Sequence, residues 1–178
     1  MKLKASVYYL ALETDYPSSD NSGLFLGSDG RTLHRGSREF REKAGIEGSA
    51  RLLDGRVLNY HSRVNGEIRW VEVIKAPYGL GVRCPLVPMR SAAVDPALIP
   101  IGSAIYIKET EGMMLPDGSR HDGIWYAHDV GQAIKDARMD LFAGAGIAAM
   151  EAIRAAGIGH LKPLTITVLE KRDGCQGY

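Results

Sequence analysis

GIWYAHDVGQAIKDARMDLFAG, residues 123–144, sets a strand-like run beside two aspartates. Its first seven residues are rich in branched and aromatic types and end on Asp129, which predicts a strand. A small, flexible stretch follows, and then Asp140 precedes an apolar pair and a Gly-rich turn. Runs of the first kind recur along the chain: SVYYLAL (6–12), SARLL (49–53), RVLNYH (56–61), IRWVEVI (68–74), SAAVD (91–95), AIYIKE (104–109) and LTITVLE (164–170). Asp54-Gly55 separates two of them and signals a hairpin. Pro116-Asp117-Gly118 marks a longer hairpin loop. Two helices interrupt the pattern. SREFREKAG (37–45) has Ser37 to cap its start and Gly45 to close it. AGIAAMEAIRAAG (145–157) carries an apolar stripe through Ile147, Met150 and Ile153 and closes at Gly157. Residues 13–36 read as loop. Many short strands with one or two helices predict a mainly β fold, a small barrel, because a parallel α/β sheet needs more helices between its strands.

A chain of 178 residues suits one domain with an extension and can bury a core without metals or disulfides. Apolar content of 45% and charged content of 24% are those of a soluble globule. A net charge of +1, with 22 Lys and Arg scattered along the chain, argues against a nucleic-acid partner. Cys84 and Cys175 permit one disulfide at most, and no Cys/His spacing reads as a zinc site, so neither metal nor cofactor is expected. The N-terminus MKLKASVYYLALETDY turns acidic after a short apolar run and reads as a first strand rather than an export signal. No stretch is apolar and long enough for a membrane span.

Chemistry points to three carboxylates at strand ends. Asp95 precedes Pro96, Asp129 precedes Val130-Gly131, and Asp140 precedes Leu141-Phe142. Each has a structural reading: Asp-Pro starts turns, Asp129 could bond turn amides, and Asp140 could cap the following helix. Gathered in one groove, carboxylates raise one another's proton affinity, and one that holds a proton near neutrality can protonate a glycosidic oxygen.

The order of the motifs strengthens that second reading. VDPALIPIGS (94–103), DVGQAIK (129–135) and MDLF (139–142) resemble the three-aspartate, or 3D, domain of the membrane-bound lytic transglycosylase A family and of stationary-phase survival proteins. The eleven-residue step from Asp129 to Asp140 is that of the family pattern. IEGSARLLDGRVLNYHSRVNGE (46–67) resembles a second family segment, so the likeness covers about residues 46–171. Gln132 and Asp136 replace family glycines, Glu47 replaces a common Gln, and Ala50 a common Gly.

The resemblance implies a double-psi β-barrel over 46–171, with residues 1–45 packed on it as strand, loop and helix and 172–178 as a tail. It implies cleavage of the β-1,4 MurNAc–GlcNAc bond of peptidoglycan without water, leaving a 1,6-anhydro end. Asp140 would be acid and then base, Asp129 would help set its proton affinity, and Asp95 would orient partners. Lys135, Glu47, Ser49, Gln132 and Gly131 would contact the glycan strand. Trp70, Trp125, Tyr60 and Tyr126 are candidate sugar platforms, although aromatics in strands are usually core. A metal pairing of His128 with Asp129 is rejected because strand alternation points neighbours to opposite faces. The chain is expected to act as a monomer in the periplasm, cell envelope or extracellular space. Its rivals are a dimeric aspartic protease built on Asp129-Val130-Gly131, a non-catalytic glycan-binding barrel, and a hydrolytic muramidase such as a phage lysin or antibacterial toxin.

Overall fold

The structure, a computed structural model, describes residues 1–171 and Cys175. Eleven strands follow in chain order. The first six are β1 (Lys2–Leu12), β2 (Gly23–Gly27), β3 (Thr32–Gly36), β4 (Ser49–Arg51), β5 (Val57–Val64) and β6 (Glu67–Val73). The remaining five are β7 (Ser91–Val94), β8 (Ser103–Met114), β9 (Arg120–Asp129), β10 (Arg138–Ala145) and β11 (Lys162–Lys171). Helix α1 spans Arg38–Glu47 and helix α2 spans Glu151–Ala155.

Two compact regions form. The first takes residues 1–8, 81–144 and 148 onward, and the second takes 9–80 with 145–147. In the first region the strand order is β10-β7-β9-β8-β11-β1, and a β1–β10 pairing closes it into a six-stranded barrel. Closure removes sheet edges, so every strand of the barrel has a neighbour on both sides. Strands β7 and β9 pair in parallel, while β7–β10, β8–β9 and β8–β11 are antiparallel. The β8–β9 hairpin turns where the sequence placed it, with Gly118 at φ +81 and its N–H on Leu115 O at 2.9 Å. Trp125, Phe142, Ile105, Ile107, Met139, Leu141 and Ile166 fill the core, each worth about 1.5–3 kcal/mol on burial. The Trp125 indole N–H donates to Thr110 Oγ1 at 3.0 Å, so its one polar atom is satisfied inside. A Cys84–Cys175 disulfide, Cα to Cα 5.4 Å, ties the chain end to the segment after residue 80.

The second region is a sheet in the order β1-β4-β5-β6-β2-β3 with α1 packed on it. Phe25 of β2 meets Phe40 of α1 at 5.2 Å and Trp70 of β6 at 5.1 Å, ring centre to ring centre. Ser37 caps α1 as expected, its Oγ accepting the Phe40 N–H at 3.1 Å.

The mainly β barrel with two short helices is the fold class expected, and several local readings need correction. Residues 13–36 are not all loop, because β2 and β3 pair as an antiparallel hairpin. Glycines at 23, 27 and 36 hid these strands; a Cβ on Gly23 would lie 2.4 Å from Ser37 O, so close packing excludes any side chain there. Helix α1 runs through Gly45 and stops at Gly48, whose φ of +82 lets its N–H reach Ala44 O. The second helix is shorter than expected: a 3-10 turn (Ile147–Met150) precedes one α-turn, with Gly157 closing at φ +70. The boundary expected at residue 46 also shifts. Residues 46–80 pack with 9–45, because β4–β6 pair with β1 and β2 of that region. Of the expected tail 172–178, only Cys175 lies within the described residues. Among the described residues no helix is long and apolar enough to cross a membrane.

Candidate active site

Strand register brings two of the three aspartates onto one face of the barrel region. Asp140 of β10 pairs with Ala93 of β7, and Ala93 pairs with Asp129 of β9. Residues opposite one another in a ladder share a face, so both carboxylates flank the Ala93 methyl. Two strand spacings put their Cα atoms roughly 10 Å apart. A larger side chain at position 93 would fill the space between them. Asp140 is half-buried and lies inside β10, so it neither caps a helix nor belongs to a turn.

Asp129 ends β9 with both oxygens held. Tyr8 donates its hydroxyl proton to Oδ2 at 3.0 Å, and the Val130 N–H reaches Oδ1 at 2.8 Å. Burial among protein atoms pushes its pKa up to about 6, although both hydrogen bonds pull the other way. The carboxyl therefore carries its proton through mildly acidic conditions.

Asp95 does different work. Its Oδ1 accepts the Ala97 N–H at 3.0 Å and its Oδ2 accepts the Asp136 N–H at 2.8 Å. Those two bonds hold its pKa below the usual carboxylate value, with Lys135 adding a smaller pull. Asp95 is thus an ionised clamp that pins the 130–137 loop to the end of β7. Asp136, at φ +54, takes the left-handed turn that a family glycine would take. Gln132 does not share that requirement, since it is absent from the positive-φ positions. Gly131 O accepts the Ile134 N–H at 3.0 Å, and buried Ile134 fastens the loop from below. Gln132 and Lys135 are exposed on it.

His128 is 2% exposed, and burial drops its pKa to about 4, which keeps the ring neutral near pH 7. Its Nδ1 lies 2.9 Å from Ser91 Oγ, which also receives the Val87 N–H at 2.8 Å. The β7–β9 register slips by one residue beside it, so simple alternation does not hold between His128 and Asp129. Among the described residues no group of three or more His, Cys, Asp or Glu could hold a metal ion. Trp125 and Trp70, at 0% and 1% exposure, are core rather than sugar platforms, while Tyr60 and Tyr126 stay half-exposed.

Glu47 and Ser49 belong to the second compact region. Glu47 ends α1, accepts the Tyr9 N–H on Oε2 at 3.1 Å, and is pushed up to about 7 mainly by burial. Ser49 does not offer its hydroxyl to solvent. It is 2% exposed beneath Gly79, where an added Cβ would come within 3.0 Å of the Ser49 Cβ. Asn59 fixes that cover by exchanging two 2.9 Å hydrogen bonds with the Leu80 backbone.

Sequence reasoning passed over Tyr8, which bonds Asp129 from 121 residues away. It also passed over Arg138, half-buried and two residues before Asp140 on the same strand. An Arg that close to a strand carboxylate was a visible signal; for Tyr8 there was none.

The family model for the 3D domain matches residues 90–167, which contain all three aspartates. Among curated proteins no match is found. Several solved structures share the fold. Escherichia coli MltA with bound chitohexaose superposes with TM-score 0.67 at 17% identity, covering 96% of this chain and 72% of that one. The membrane-bound lytic murein transglycosylase of Agrobacterium tumefaciens gives 0.59 at 16% identity, covering 94% and 73%. Neisseria gonorrhoeae MltA gives 0.55 at 19% identity, covering 76% and 47%. Residues 90–167 thus match the 3D domain, and the protein has the fold of the MltA-type lytic transglycosylases.

Proposed function

We propose that the protein is a peptidoglycan lytic transglycosylase that cleaves the β-1,4 bond between MurNAc and GlcNAc without water. The observation carrying this reading is the pair of carboxylates flanking Ala93 on one barrel face, inside the 3D domain. Asp140 protonates the glycosidic oxygen as the bond to C1 breaks, and then removes the proton of the C6 hydroxyl as that oxygen closes on C1. Asp129, held on both oxygens, keeps a fixed place across Ala93 and changes charge near pH 6. Asp95 keeps the intervening loop in register. The bound chitohexaose in the E. coli structure supports a β-1,4-linked amino-sugar strand as the substrate class.

Incubation with purified sacculi, followed by mass spectrometry, tests the reading. Anhydro-muropeptides are the expected product. Reducing ends one water heavier point instead to a hydrolytic muramidase, and binding without release to a glycan-binding barrel. We further propose that the chain works as a monomer in the periplasm, cell envelope or outside the cell. The Cys84–Cys175 disulfide supports an oxidising compartment. Fractionation of the producing cell with a tagged chain checks this, and recovery from the cytoplasm in reduced form refutes it.

A further inference from the structure

We infer that Tyr8 is a positioning residue of the proposed site: its hydroxyl, reaching through the barrel from β1, fixes the Asp129 carboxyl across Ala93 from Asp140. The inference rests on the transglycosylase reading and adds to it a group outside the matched 3D segment. In the closed strand order, β1 and β9 lie three strands apart whichever way round the barrel is followed. Neighbouring-strand contacts therefore cannot join Tyr8 to Asp129, and the phenol must cross the interior to reach Oδ2 at 3.0 Å. Its ring rests against Phe142 at 5.1 Å, and Phe142 is two residues from Asp140 on β10, hence on the same face. One side chain thus touches one aspartate directly and packs beside the strand position of the other. At 7% exposure Tyr8 makes this bond largely out of water, where a donor to a carboxylate counts for more.

Among the described residues, few charged and titratable groups lie on the segments adjoining Asp129. Asp140 and Arg138 come from β10, and Asp95 lies just past β7. His128, the residue before Asp129, is held neutral by burial, and Lys135 sits in the loop beyond. Tyr8 opposes the effect of burial by favouring the ionised carboxyl, and it also fixes which oxygen faces the barrel. Without the hydroxyl, Asp129 keeps its proton to higher pH and is free to rotate about its last bond.

The test compares the full chain with Tyr8→Phe, which keeps the ring against Phe142 and deletes only the hydroxyl. Carboxyl carbon NMR is expected to show the Asp129 midpoint rising by about one pH unit. The limb of the kcat–pH profile that follows Asp129 moves the same way, with KM little changed. Tyr9→Phe removes a phenol one residue along, whose oxygen meets Tyr16 at 2.7 Å, and should leave the Asp129 midpoint in place. If Tyr8→Phe loses the fold, a fluorinated tyrosine at position 8 is a stronger donor and must lower the midpoint. An unmoved midpoint overturns the inference while leaving an active wild type a transglycosylase. A wild type that releases no anhydro-product overturns the functional reading and with it any role of Tyr8 in the reaction.

Discussion

The two compact regions each hold a carboxyl whose proton affinity burial raises, and they hold it in different ways. Asp129 in the barrel region reaches about 6 with a tyrosine and a backbone amide on separate oxygens. Glu47 in the second region reaches about 7 with one backbone amide, at the end of a helix. A helix C-terminus carries partial negative charge and disfavours an anion there. Burial alone therefore marks neither group as catalytic. Asp129 differs because strand register sets a second carboxylate two strands away across Ala93, whereas Glu47 ends a helix and lies outside the strand ladders. A raised proton affinity identifies a site only where geometry gives the proton a destination.

Five experiments sharpen or break that contrast. Asp140→Asn carries the largest expected effect, a loss of about 10³-fold in release of anhydro-muropeptides, the scale of general acid–base catalysis. Retained activity would remove the barrel pair from the chemistry. Next comes the disulfide, which only the barrel region has. Reduction, or Cys84→Ser with Cys175→Ser, should lower unfolding free energy by about 3 kcal/mol in urea titration, within the usual range for a disulfide.

The third experiment is Glu47→Gln. A carboxyl whose folded pKa is about 7 against an ordinary 4.5 stabilises the fold below 4.5 and loses that contribution as pH rises through 7. The Gln variant should therefore be more stable than wild type by about 3 kcal/mol above neutrality, the two curves meeting in acid. Curves that stay parallel would mean Glu47 is not desolvated. Asp129→Asn should flatten the corresponding stretch between 3.8 and about 6. The smallest effect belongs to Asp95→Ala, which frees the Asp136 and Ala97 amides. Faster hydrogen exchange at those two amides, with little change in global stability, is the expected result.

Much of the fold was legible along the chain. β5, β6, β8, β9 and β11 announce themselves by branched and aromatic runs, and the Asp54-Gly55 and Pro116-Asp117-Gly118 turns fall where their chemistry requires. β2 and β3 escaped because six of their ten residues are glycine or polar, and what holds them is Phe25 packing on Phe40 and Trp70 rather than any local preference. Gly45 misled for a related reason: a glycine ends a helix only where its φ turns positive, and Gly48 is the one that does.

For the site, residue order and spacing singled out Asp95, Asp129 and Asp140, because a turn before Pro, a strand end and an apolar pair are all local features. Which of them face each other was decided only by the pairing of β7 with β9 and β10, a contact between segments distant in sequence. The same is true of Tyr8, whose phenol meets Asp129 because barrel closure brings opposite strands within a side chain's reach. Local propensity and turn chemistry act over a few neighbours. Proton affinity and partnership depend on what the closed barrel brings near and what it shields from water, and no local stretch of sequence contains that.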